Sequence, residues 1–205
     1  MISGLKTRLE RSLGAGLLGL ALLLAGVPAA WAFDLPELMA QLGRQKSGEA
    51  SFTEQRFVHG IEGPLESAGT LSFNAPDKLV RHTLSPRPES MAVEGNTLTL
   101  SRSGRTRTMA LDSMPELLGM VDALRGTLSG DAQLLQRHFR SQLSGSASNW
   151  ALELQPIDAG LAAQVRSVRL TGRQGEVLGV EMEFIGGDRS VMKISPVRGG
   201  AKAPS

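Results

Sequence analysis

Cysteine and tyrosine are absent from this chain of 205 residues, and only 4% of it is aromatic. Without a thiol there is no disulfide, no thiolate zinc site, no iron–sulfur cluster and no cysteine nucleophile, and no cysteine on which a lipoprotein anchor could be built. A chain of this length without such staples must rest on a packed core, and one domain is expected. Surplus charge is also missing. The formal net of +2 comes from Lys6, Arg8 and Arg11 set against Glu10, and from residue 33 onward 19 basic side chains face 19 acidic ones. So balanced a surface gives nucleic acid little to hold, and no nucleic-acid partner is expected.

The long apolar run is Leu17–Val27, preceded by three basic residues and followed by Pro28-Ala29-Ala30-Trp31-Ala32, with small residues at the two positions a signal peptidase reads. That order is the pattern of a secretory signal peptide cleaved after Ala32. As a membrane span the run is short, since eleven residues make roughly 16 Å of helix against a hydrocarbon core of ~30 Å. The expectation is a leader over 1–32, a single domain over 33–198 in the periplasm, and a frayed Gly-, Ala- and Pro-bearing tail over 199–205.

Asp34-Leu35-Pro36-Glu37 predicts a helix start, Leu35, Leu38, Met39 and Leu42 recur at helical spacing, and Lys46-Ser47-Gly48 closes the pattern. From Glu49 the period becomes two. Phe52 and Phe57 fall on opposite faces of their run, and Leu71 and Phe73 alternate with Thr70 and Ser72. Asn74-Ala75-Pro76, Pro86-Arg87-Pro88, Gly95-Asn96 and Ser103-Gly104 punctuate the stretch into six antiparallel strands ending at Leu111. Ser113-Met114-Pro115-Glu116 then reads as a capping box, followed at helical spacing by Leu117, Leu118, Val121, Leu124 and Leu128, with a second short helix over Asp131–His138. Five more strands follow, broken at Gly145, Asn149, Gly172, Gly175 and Gly186-Gly187-Asp188. The sum is one α+β domain with about eleven strands in a long, curved antiparallel sheet, a helix in front and a helical insertion.

A curved sheet exposes an apolar inner face that must be closed or covered, and helices are the natural cover. Aromatic filling is sparse, with Phe52, Phe57, Phe73, Phe139, Trp150 and Phe184 spread over the strands, while Met91, Val93, Leu98, Leu100, Met109, Met114 and Met120 supply flexible apolar bulk. Such an interior suits a cavity for disordered hydrocarbon, and the same residues would equally fill an ordinary core.

Four short motifs occur in order: Ala50-Ser51-Phe52-Thr53-Glu54-Gln55, Gly69-Thr70-Leu71-Ser72-Phe73, Ala75-Pro76 and Glu94-Gly95-Asn96-Thr97-Leu98. The series resembles the periplasmic outer-membrane lipoprotein carrier family (LolA-type). The resemblance implies an unclosed antiparallel half-barrel lidded by the N-terminal helix and the helical insertion. It implies a monomer whose apolar hollow takes the acyl chains of a lipoprotein or lipid from an inner-membrane donor complex to an outer-membrane acceptor, with no cofactor and no catalysis. Two positions depart from the family pattern: Ala75 stands where the family carries the Arg that governs its lid, and Arg81-His82 replaces the usual aromatic. The likeness is thus to a divergent member, of the sort that serves a specialised lipid or polyene pathway.

Alternation nominates lipid-binding residues on the strands, Phe57, Leu71, Phe73, Leu79, Met91, Val93, Leu98, Leu100 and Met109, and on the insertion, Leu117, Leu118 and Val121. A one-residue slip would invert every assignment on a strand. Arg102, Arg105 and Arg107 flank the Ser103-Gly104 turn as a dense basic patch, suited to an anionic headgroup or an acidic donor protein, or else to guarding a solvated strand edge.

Signs of an enzyme are weak. His59, His82 and His138 lie on separate elements without a second ligand at metal spacing, and Gly145-Ser146-Ala147-Ser148-Asn149 lacks the closing glycine of a nucleophile elbow. Glu181 and Glu183 share a strand face, an arrangement more often a solvated stripe than an acid–base pair. A carrier is therefore expected, with a second reading in which the same half-barrel binds lipid or misfolded protein and signals through a protein partner.

Overall fold

The computed structural model describes residues 33–197, so the expected leader over 1–32 and tail over 199–205 lie outside the described residues. The Asp34 carboxylate accepts from the Glu37 amide at 2.9 Å and caps helix α1 (Leu35–Leu42), with Pro36 in its first turn. The helix stops at Gly43, earlier than Gly48. Ser47 and Gly48 pair instead with Asn74 and Phe73, so the sheet claims residues that composition alone assigned to a helix end.

The strands are β1 (Ser47–Phe57), β2 (Leu65–Asn74), β3 (Lys78–Ser85), β4 (Glu89–Glu94), β5 (Thr97–Arg102) and β6 (Arg105–Ala110). After the insertion come β7 (Phe139–Ser146), β8 (Asn149–Pro156), β9 (Val165–Arg173), β10 (Glu176–Phe184) and β11 (Arg189–Pro196). The insertion holds α2 (Pro115–Ser129) and α3 (Ala132–His138), and one further turn, α4 (Ala159–Ala162), follows β8. All eleven described strands form one antiparallel sheet in the order β6-β5-β4-β3-β2-β1-β11-β10-β9-β8-β7. Two meanders are thus joined edge to edge by the first and last strands, with Phe52 opposite Ile194. Strands β6 and β7 end the sheet without pairing with each other, and the barrel stays open as an α+β half-barrel.

Entry into α2 differs from the expected capping box. The chain makes a 3-10 turn over Leu111–Ser113, the Ser113 hydroxyl donates to the Ala110 carbonyl at 2.6 Å, and Met114 stands at the cap position with no side-chain bond. Burial of Leu111 explains this: drawing that side chain fully into the core tightens the turn and points Ser113 back along the strand. Pro115 starts the helix, and Gly130, at φ 76°, ends it in the left-handed conformation that glycine adopts without penalty.

The helices cover the inner face of the sheet. Leu38, Met39 and Leu42 of α1, Ala123 of α2 and Leu135 of α3 pack with Phe139, Trp150, Leu152, Leu154, Val168 and Leu170 on the β7–β9 side. A smaller cluster of Val93, Leu98, Leu111 and Val121 fixes the start of α2 to the β4–β5 side. Each fully buried side chain of this kind contributes about 1.5–3 kcal/mol. No helix among the described residues is long and apolar enough to cross a membrane.

Candidate functional site: a lidded apolar hollow

Between these two packed clusters the helices and the sheet do not meet. Where the central strand β1 borders the gap its inward positions are Gly48 and Ala50, and the facing part of α2 carries Ala123, so bulk is missing there. The result is a hollow of about 370 Å³, within the range of small-ligand sites. Its walls are Leu71, Phe73, Leu79, Met91 and Val93 from one meander and Leu154, Val168, Leu170, Val177, Val180, Met182, Met192 and Ile194 from the other. Leu42 of α1 and Met120, Val121, Leu124 and Leu128 of α2 form the cover. Met91 and Leu124 remain 38% and 43% exposed, so the hollow opens to solvent at the β4 side and along α2.

One polar assembly borders this apolar space. Arg81 lines the hollow with its guanidinium 4.4 Å above the ring of Phe52, and its Nη2 reaches Glu54 Oε2 at 2.5 Å. Glu54 also accepts from Ser190 Oγ at 2.5 Å and from Ser67 Oγ at 3.2 Å. Burial pushes the Glu54 carboxyl up, but the hydrogen bonds from Ser190 and Arg81, the Arg81 charge and the Ser67 hydroxyl outweigh it and hold the group below its ordinary value. Both charges are mostly buried and each has its partner, so they close one end of the hollow as a neutral unit.

The lid is tied down from its own side. Arg125 of α2 donates from Nη2 to the carbonyls of Gly95 and Asp77, in the turns after β4 and β2, and its Nη1 lies 3.6 Å from Asp122. Asp122 also meets His138 Nε2 at 3.4 Å, which couples α2 to the end of α3. Ala75, in the turn where the family pattern has its arginine, offers only its backbone, donating to the Lys46 carbonyl at 2.8 Å.

Six of the residues nominated from alternation line the hollow: Leu71, Phe73, Leu79, Met91, Val93 and Val121. Leu98, Leu100, Met109, Leu117 and Leu118 sit beside it, in or against the smaller packed cluster. Phe57 is elsewhere, 39% exposed beneath the Arg189 guanidinium, whose Nε pairs with Glu181 on the outer face. On β1 the even-numbered side chains point inward, and it is Phe52, 2% exposed, that is buried. The walls contributed by β9 to β11 were not nominated, although the alternation that turns Glu181 and Glu183 outward also turns Val180 and Met182 inward.

A family model described as "Outer membrane lipoprotein carrier protein LolA-like" matches residues 25–203. No curated protein sequence matches. Similar solved structures include a LolA superfamily protein from Nitrosomonas europaea, 12% identical over 82% of this chain and 93% of that one, with a TM-score of 0.44. The lipoprotein LppX of Mycobacterium tuberculosis is 12% identical over 78% of this chain and 94% of its own, with a TM-score of 0.39. The Pseudomonas aeruginosa MucA/MucB complex is 16% identical over 83% of this chain and 59% of that one, with a TM-score of 0.37. Because the sequence match runs through both meanders and the helices between them, the chain belongs to the LolA-like outer membrane lipoprotein carrier family as a divergent member.

Proposed function

We propose that this protein is a periplasmic carrier that shields the acyl chains of a lipoprotein or lipid in its hollow while the cargo moves from an inner-membrane donor to an outer-membrane acceptor. The observation that carries the reading is the apolar space of about 370 Å³ between a sheet and helices that pack tightly on either side of it. Burying a methylene is worth about 0.8 kcal/mol, so a chain of roughly fifteen gains on the order of 12 kcal/mol gross on leaving water. A bilayer offers the same gain, so a shuttle must hold cargo less tightly than its acceptor does. A hinged cover answers that need: closed over cargo it hides apolar surface, and open without cargo it exposes it.

The polar groups at the hollow suit this role better than catalysis. Glu54 is held ionised with both oxygens accepting from Arg81, Ser67 and Ser190, which leaves it no proton to donate to a substrate. A leader over 1–32 would deliver the domain to the periplasm as a monomer. The test is transfer: exported protein loaded with a fluorescent acyl probe should deliver it to acceptor vesicles. Failure to take up any acyl probe would remove the proposal, and uptake without transfer, together with stable capture of a membrane regulator, would favour a lipid-responsive adaptor.

A further inference from the structure

The register of the β3–β6 side places three arginines on the same face as the lining residues. Strand pairing sets Leu79, Val93, Leu98 and Met109 in one row and Arg81, Met91, Leu100 and Arg107 in the next. Thr83, Glu89, Arg102 and Arg105 form the row after that. Partners in a row point to one side of the sheet, and alternate residues along a strand share that side. Since Leu79, Arg81, Met91 and Val93 line the hollow, Arg102, Arg105 and Arg107 project from the inner face as well.

The opposite face of the same hairpin carries Thr97, Thr99 and Ser101 on β5 and Thr106 and Thr108 on β6, with no charge. The charge of this hairpin is thus confined to the side the hollow is on. Arg107 lies two strands from Met91, about 10 Å, and Met91 stands at the open side of the hollow. Arg102, Arg105 and Arg107 are exposed, and among the described residues none of them is ion-paired. The acid in register with them is Glu89, opposite Arg102, so the shelf keeps an excess of positive charge; Arg81 is already neutralised by Glu54.

We propose that this arginine shelf binds the anionic headgroup, phosphate or carboxylate, of the amphiphile whose hydrocarbon fills the hollow, so that the cargo class is an anionic amphiphile. The inference rests on the carrier reading and narrows it. Guanidinium groups suit such oxyanions because they present paired donors in a plane. Continuity with the lining favours a headgroup over an acidic protein: a chain leaving the hollow past Met91 and Leu100 brings its polar end onto Arg107 and then onto Arg102 and Arg105.

The experiment compares amphiphiles of one chain length on the full exported protein: hexadecyl phosphate, hexadecanoate and the neutral 1-hexadecylglycerol, each displacing a fluorescent acyl probe at low and high salt. Inorganic phosphate alone serves as the headgroup without a chain. The wild type should bind the two anions at least about tenfold more tightly than the neutral compound, with a gap that narrows in salt. The exposed pair Arg105→Gln/Arg107→Gln should lose that preference and keep its affinity for 1-hexadecylglycerol. Whichever anion shows the larger loss identifies the headgroup chemistry, and inorganic phosphate should bind far more weakly than either. Equal affinity for all three compounds in the wild type overturns the shelf and leaves the hollow standing. Failure to bind even the neutral compound removes the carrier reading itself. Unchanged preference in the variant, with loss of an acidic membrane partner, assigns the arginines to that partner and also overturns the proposal.

Discussion

Arg125 of the lid helix donates to the carbonyl of Gly95 in the turn between β4 and β5, at 2.5 Å. With its second bond to Asp77 at 3.2 Å, one side chain fastens the cover to two turns of the sheet. Its Nε is buried without a partner, so the closed lid is held by a group whose own needs are incompletely met.

Replacing that fastener should loosen the cover. Arg125→Met is expected to lower stability by about 2 kcal/mol, the scale of a lost hydrogen bond from a charged donor. It should also speed amide exchange along α2 and shorten the residence of an acyl probe. Arg125→Lys should fall between the two, because an ammonium cannot span both carbonyls in the way the planar fork does. Exchange rates in α2 equal to wild type would show that the helix is held by packing alone.

Acid should weaken the closed end of the hollow. The Glu54 carboxyl is held below its ordinary value of 4.5 in the folded protein, so its contribution is complete above about that pH and fades as the pH falls through the lowered folded value. Glu54→Gln should be destabilised at neutral pH by on the order of 3 kcal/mol, because Arg81 is left mostly buried without its counter-charge. The difference between the two proteins should shrink on acidification, as chemical denaturation across pH will measure. A difference that grows as the pH falls would contradict the assigned pairing.

Gly69 is required by a β-bulge. The β2–β3 register shifts between Ala68 and Gly69, and this brings the His82 carbonyl so close that an added Cβ at Gly69 would be driven into it. Gly69→Ala should cost about 2–3 kcal/mol, as overpacking against fixed backbone does. Gly186, whose Cβ direction is open, is the control and should tolerate alanine with little change in thermal midpoint.

Much of this architecture is legible in local signals. Asp34 marked the first helix, glycine and asparagine marked the turns, and alternation marked the strands, because capping and pleating act within a few residues. What the sequence left open depends on partners far along the chain. Phe52 and Phe57 are equally apolar, and the choice between them follows from Arg81 folding back over Phe52 and from β1 lying between β2 and β11. Half of the hollow's wall comes from β9 to β11, brought beside β1 by pairing of the first and last strands, which no local pattern announces. The four-residue α4 has only its cap, Asp158 accepting from Gly160 and Leu161, and is too short to show a period.

If the space is a true hollow, filling it should separate stability from function. Ala50→Phe places a ring where β1 faces the empty region, and cavity filling of this kind commonly adds 0.5–2 kcal/mol. The variant should melt no lower than wild type and take up markedly less acyl probe. A lower melting point with uptake unchanged would mean that the region is already packed.

Native mass spectrometry of the protein released from the periplasm, without detergent, tests the binding role most directly. A carrier should emerge with an added mass that fragments to an acyl chain, and Ala50→Phe should emerge bare. A wild-type protein that is bare as isolated, and stays bare after exposure to acyl probes of several lengths, would leave the hollow without a guest.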